Sequence, residues 1–206
     1  MFGQSKSGTL LCVPDLDWPN ISQTYHYDNG NLDCTDFDGD GFTASEDCDD
    51  TDASIYPFAG DTYGDGIDSD CDGLDCEAGS DGDTYFTVCI DQSMNHAAAN
   101  QTCIDSGYDS LASIVDASED SFVLSLFNNP NLAPDNDCHH DCYWIGLERD
   151  GSSWRWLGGE GFGYQNWDSG QPNNTSEECV WQSATYERWH DENCFQNYNG
   201  FTCQKR

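Results

Sequence analysis

The chain has 206 residues, room for one large domain or two small ones. Its 39 Asp+Glu against 6 Lys+Arg give a formal net charge of -33, which excludes a nucleic-acid partner, because nothing basic can meet phosphates, and argues against anionic membrane surfaces. With 7 Trp, 10 Tyr, 10 Phe and 12 Cys it also differs from acidic disordered chains, which are poor in aromatics.

The acidic residues are clustered and regularly spaced, so divalent cations are the expected counter-ions to their self-repulsion. The even cysteine count contains no C-x-x-C pair, which points to disulfides in an oxidising compartment rather than to zinc. No apolar run approaches the roughly 20 residues of a membrane span, and none of leader length follows Met1–Lys6. The expected chain is therefore a mature form, one whose leader is not included, or one exported by another route, with no membrane insertion.

Taken in chain order, residues 1–33 are mixed, with a short apolar run Leu10-Leu11-Cys12-Val13 and Trp18, and read as an arm that docks on a neighbour. Residues 34–76 are dominated by Asp and Gly. Too few apolar side chains stand there to offset the entropy of ordering, so metal ions and disulfides must substitute for a core. Residues 77–206 hold six of the seven Trp and read as an α+β domain. Thr84–Val88 has strand character. A helix is expected through Met94–Ala99, ending near Gly107. A second helix starts at Asp116 as N-cap with Glu119 three residues on, and buries Phe122, Val123, Leu126 and Phe127; Asn128-Asn129-Pro130 stops it. Short Trp-rich strands and Gly-rich loops follow. Trp144, Trp156 and Trp189 are expected in the core, with Trp167 and Trp181 packed beneath a long loop. His139, His140 and Asp141, between Cys138 and Cys142, offer either a zinc site or a plain hairpin.

Within the acidic region, Asp36-Phe37-Asp38-Gly39-Asp40-Gly41 has the form of a calcium loop: alternate Asp residues aim oxygens at one point, Gly41 permits the turn, and the Phe42 carbonyl takes the next position. Asp47 stands where an EF-hand has Glu, and no helical pattern flanks the loop, so it is not an EF-hand. Asp47-Cys48-Asp49-Asp50-Thr51-Asp52, Asp65-Gly66-Ile67-Asp68 and Asp68-Ser69-Asp70-Cys71-Asp72-Gly73 follow. Hard oxygen donors of this kind select calcium. The stretch from Asp36 to Gly73 resembles the thrombospondin type 3 and MopE-type calcium repeats. The resemblance implies two or more Ca2+ ions on Asp36, Asp38, Asp40, Phe42, Asp47, Asp49, Asp50, Asp52, Asp65, Asp68, Asp70 and Asp72, a Cys48–Cys71 bridge, and a loop-rich module stabilised by calcium and disulfides.

Trp144-Ile145-Gly146-Leu147, the order helix, helix, strand, long loop, terminal Cys, the segment Tyr164–Asn173 and Trp189-His190-Asp191 before Cys194 together resemble the C-type-lectin-like domain. That resemblance implies two helices, short antiparallel strands and a long loop, with Cys103–Cys203 closing the domain and Cys179–Cys194 pinning the loop. The rest pair by proximity: Cys76–Cys89 would bridge an N-terminal hairpin. Cys138–Cys142 would close a small loop, which leaves Cys12–Cys34. The resemblance also implies a loop calcium site on Gln171, Asn173, Glu177, His190 and Asp191, with a cis Pro172, at which sugar is recognised. The set departs from the sugar-binding pattern: Gln171 and Asn173 are both amides, and His190 replaces an Asn, although imidazole is a poor calcium ligand. The other reading of the same residues is a loop shaped by Pro172 without ion or sugar. Asn20, Asn100, Asn173 and Asn174 are sequon asparagines, so a glycoprotein is expected, and a glycan on Asn173 would block it as a ligand.

No nucleophile elbow, P-loop, H-E-x-x-H or dinucleotide fingerprint occurs, so no enzyme is expected. Two functions stay open: a secreted or cell-surface, calcium-dependent module of adhesion or carbohydrate recognition with a glycan or protein ligand, or a structural subunit that assembles into oligomers or an extracellular filament.

Overall fold

The computed structural model describes residues 35–90, 92–127 and 142–206, and the backbone of two short strands before them. The chain forms two compact units, Met1–Pro57 and Phe58–Arg206. The acidic stretch 34–76, expected as one module, thus contributes to both.

In the first unit, β1 (Gly3–Gln4) pairs antiparallel with β2 (Leu10–Leu11). From Thr35 on, the unit is held by turns rather than a core. Phe42 stacks on Tyr56 at 5.4 Å, and carboxylates accept from the backbone N–H groups of Gly39, Gly41, Phe42, Asp49 and Ser54.

The second unit is α+β, as the lectin-like resemblance implies. Its strands are β3 (Glu77–Asp81), β4 (Thr84–Cys89), β5 (Ser110–Leu111), β6 (Cys142–Asp150), β7 (Ser153–Trp156), β8 (Cys179–Ser183), β9 (Trp189–Glu192) and β10 (Gly200–Lys205), and all eight join one sheet. The main order is β3-β4-β10-β6-β8-β9, with β5 on β10 and β7 on β6. Every pairing is antiparallel except β10 with β6. Every residue of β4 is buried: the strand lies between β3 and β10, and its side chains enter both core clusters.

Helix α1 (His96–Asp105) is capped by Asn95, whose side chain accepts from the Ala98 N–H; helix α2 (Ala117–Leu126) is capped by Asp116, which accepts from Ser118 and Glu119. Glu119 reaches back to the Val115 N–H, one residue before the cap. Val123, Leu126 and Phe127 are buried on the sheet, as the apolar spacing requires.

In β6, Trp144, Ile145 and Leu147 are fully buried, and Gly146 lets the Leu111 backbone lie directly against the strand. A methyl group on Gly146 would overlap the Leu111 carbonyl. Trp144, Trp156 and Trp189 are core residues, and Trp156 meets Trp189 edge-on at 5.6 Å. Disulfides join Cys76–Cys89, Cys103–Cys203 and Cys179–Cys194. Cys48, Cys71 and Cys142 are also disulfide-bonded. Cys12, Cys34, Cys138, His139, His140, Asp141 and Asn20 lie outside the described residues.

His96 shows how burial sets a charge state. Its Nε2 donates to the Ile145 carbonyl at 3.0 Å and its ring meets Trp144 edge-on. Cys179 stands nearby, but its sulfur is committed to Cys194, so no metal site results. Burial lowers the His96 pKa from 6.5 to about 4. Between those values the unfolded chain binds a proton that the folded one refuses. Stability is therefore fully present above pH 6.5 and falls toward pH 4, by roughly 1 kcal/mol per pH unit from this group. Urea unfolding at pH 6.5, 5.5 and 4.5 should show a shallower pH slope for His96→Gln than for the parent chain.

Candidate functional site

The acidic loop of the first unit is built on two positive-φ glycines, Gly39 and Gly41. Asp36 accepts from both, at 2.6 and 3.2 Å. Asp38 accepts from Asp40, Asp40 from Phe42, Asp47 from Asp49 and Asp50 from Phe37. Asp36 spends both oxygens on these bonds, whereas Asp38, Asp40 and Asp50 accept through Oδ1 and turn Oδ2 inward. Asp36, Asp38 and Asp40 offer ligand atoms within 4.8 Å of one another, as do Asp38, Asp47 and Asp50, so two groups totalling five carboxylates meet at Asp38.

The inward Oδ2 atoms of Asp38, Asp40 and Asp50 are shut off from solvent and accept no hydrogen bond. Desolvation of the Asp38 carboxyl, with the charges of Asp40, Asp47 and Asp36, raises its pKa. Convergent hard oxygens lacking a proton donor fit a calcium ion. Asp36, Asp38, Asp40, Asp47 and Asp50 would hold it, and the ion would supply the charge that lets them stand together. Asp49 and Asp52 instead accept from Thr51 and Ser54 in local turns and join neither group.

The second unit carries a related cluster. Asp68, Asp70 and Asp72 bring ligand atoms within 4.8 Å. Asp68 accepts from Asp72 and Gly73. Asp70 is buried and accepts from the hydroxyls of Tyr85 and Tyr108; Asp72 accepts from Tyr108 at 2.6 Å. Burial and the charge of Asp72 push Asp70 up to about 7. Asp65 accepts from Ile67 and stands outside this group.

Two residues here escaped the sequence reading. Asp75 accepts from Gly64 and Gly66, repeating the role of Asp36. Asp61 is 3% exposed, accepts from Ser69 through one oxygen, and has its Oδ2 buried without a donor. Neither lies in a D-x-D pattern, so local sequence held no signal for them.

The lectin-like loop is arranged differently. The Gln171–Pro172 bond is cis. The Gln171 amide lies 2.9 Å from His190 Nδ1, and the His190 ring stacks on Trp181 at 4.2 Å with 4° between planes. His190 Nε2 is 3.3 Å from Asp168. Desolvation lowers the His190 pKa against the opposing pull of Asp168 and Asp191. The backbone N–H groups of Asn173 and Asn174 donate to the two oxygens of Asp191, at 3.0 and 3.2 Å. Arg149 Nη2 lies 3.4 Å from Asp191 Oδ2 and 3.3 Å from the Asn174 carbonyl, and Arg149 Nε lies 3.2 Å from the Glu177 carbonyl. Glu177 therefore enters through its backbone. Asn173 and Asn174 are exposed, whereas Asn100 is half-buried and accepts from the Leu111 N–H.

These contacts do not fit a calcium ion in the loop. Both oxygens of the one fully buried carboxylate already have donors, and a positive group stands where two carbonyls and that carboxylate converge.

The family model of the Lectin C-type domain matches residues 92–205. The chain belongs to the C-type lectin domain family. This lectin domain is 29% identical over 131 residues to lithostathine of Rattus norvegicus, covering 59% of this chain and 73% of that one. It is 32% identical over 114 residues to the perlucin-like protein of Mytilus galloprovincialis, covering 52% and 67%. Its fold matches that of the cow C-type carbohydrate-recognition domain of CD23, solved in the presence of a GlcNAc2Man3 oligosaccharide, with a TM-score of 0.51 and 20% identity over 62% of this chain and 92% of that one. No helix among the described residues is long and apolar enough to cross a membrane.

Proposed function

We propose that the chain is an extracellular, non-enzymatic recognition protein in which residues 34–76 carry structural calcium and the C-type lectin domain within residues 77–206 binds carbohydrate in adhesion, with residues 1–33 as a docking arm. The observation that carries the recognition role is the long loop. In a chain of this family it stands folded around cis Pro172 and leaves Asn173 and Asn174 exposed, whose amides suit the paired hydroxyls of a sugar. The CD23 domain and its oligosaccharide support the same assignment. Disulfides at Cys76–Cys89, Cys103–Cys203 and Cys179–Cys194 suit an oxidising, extracellular setting. The thrombospondin type 3-like spacing, together with the inward oxygens of Asp38, Asp40 and Asp50, supports calcium in the acidic region.

One observation favours the second reading, a structural subunit of an extracellular assembly. Gln171 and His190, two of the expected ligand side chains, bond to each other. A glycan array in millimolar Ca2+, with light scattering of the same sample, separates the two. Glycan binding that Asn173→Ala weakens supports recognition. Absence of glycan binding, with oligomers in scattering, supports assembly.

A further inference from the structure

The cationic side chains of this chain are scarce, 6 against 39 acidic ones, so where each is placed matters. Arg155, Lys205 and Arg206 pair with carboxylates that keep between 10% and 40% side-chain exposure. Arg149 pairs with Asp191, whose side chain is 0% exposed. Its place is fixed from several sides. The Arg149 N–H donates to the Glu178 carbonyl, which ties β6 to the entry of β8. Across the β6–β7 hairpin Arg149 is in register with Trp154, and its guanidinium lies 4.3 Å above that ring. From this platform it faces the Glu177 carbonyl, the Asn174 carbonyl and Asp191 Oδ2. Two carbonyl oxygens of the long loop and one carboxylate oxygen of β9 thus converge on one positive charge.

We propose that Arg149 is the resident cation of the long loop. Its guanidinium cross-links Asn174, Glu177 and Asp191 in place of a metal ion, so the loop folds and stays folded without calcium. A planar, permanently charged fork suits this task. It can address a carboxylate and carbonyls at once. The inference concerns the loop's internal order and stands apart from whether the loop binds a glycan.

The test is amide hydrogen exchange on the full chain, read at Asn173 and Asn174, whose N–H groups donate to Asp191. In the parent protein their protection should be the same in millimolar Ca2+ and in excess chelator. In Arg149→Met, which keeps the apolar stem over Trp154 and removes the charge, Asp191 is left buried without its cation. Protection at both amides should then drop by about 100-fold, while the β10 amides of Thr202 and Gln204 report that the domain is still folded. Arg149→Lys, a point charge without the fork, should fall between the two. Loss of protection in chelator by the parent chain would overturn the proposal, and so would parent-like protection in Arg149→Met. If Arg149→Met does not fold, the parent chain with and without chelator still decides the question.

Discussion

Replacing Cys103 and Cys203 together by alanine should lower the unfolding free energy of the lectin domain by about 4–5 kcal/mol, measured by urea titration monitored by Trp fluorescence. The bond spans 100 residues, and in the chain-entropy account a loop of that length removes about this much freedom from the unfolded chain. Both cysteines are fully buried, in the cluster that includes Trp144, Leu111 and Phe201, so two small cavities add to the loss. Stabilities of single domains are on the order of 5–15 kcal/mol, so the variant should stand close to its unfolding threshold at ambient temperature. The matched change at Cys179 and Cys194 closes only 15 residues and should cost less, about 3 kcal/mol in the same account. Equal losses in the two variants would show that strain or packing at the sulfurs, rather than chain entropy, sets the effect.

Calcium removal should act on the other unit. With chelator present, limited proteolysis should cut within residues 36–57 at least about tenfold faster than in millimolar Ca2+, while the sheet of the lectin domain keeps its amide protection. The first unit has the Phe42–Tyr56 stack and a web of carboxylate-to-backbone bonds, and four carboxylates crowd around that of Asp38. Without a cation those charges repel at short range, and among the described residues 35–57 no apolar side chain is fully buried to oppose them. Asp38→Asn should reproduce the chelator's effect in the presence of calcium, because Asp38 belongs to both carboxylate groups. Cleavage indifferent to chelator, in a parent chain that binds calcium elsewhere, would place the ion outside this loop.

The sequence was most readable where local chemistry decides structure. Asp116 caps α2 because a carboxylate before a helical apolar pattern has free N–H groups to accept from. The buried run from Trp144 to Leu147 forms a strand because its residues pack on both faces of the sheet. Strand β3 was not visible: Glu-Ala-Gly-Ser-Asp has no apolar alternation, and it is a strand because β4 lies alongside and Gly79 admits the Phe122 ring.

The same division runs through the site. The alternating carboxylates of Asp36, Asp38 and Asp40 meet because neighbours in sequence can be aimed by one turn. Asp61 and Asp75 act across 8 to 11 residues, and no short pattern announces them. Arg149 follows the Trp-Ile-Gly-Leu strand as an ordinary polar residue. Its role comes from long-range pairing with Asp191 across 42 residues of chain, which only the folded loop reveals. The motif at Gln171 and His190 spoke only to ligand types, and imidazole beside an amide left both readings open. The stacking of His190 on Trp181 and its bond to Gln171 show where those side chains go instead.

Calcium titration calorimetry on the full chain tests the division of labour between the two regions most directly. The parent protein should bind Ca2+ with a dissociation constant on the order of 10⁻⁴–10⁻³ M, Asp38→Asn combined with Asp40→Asn should abolish the strongest phase, and Asp191→Asn should leave the isotherm unchanged. An isotherm that Asp191→Asn removes and the Asp38/Asp40 pair leaves intact would contradict the account, as would a parent chain that takes up no ion at millimolar Ca2+.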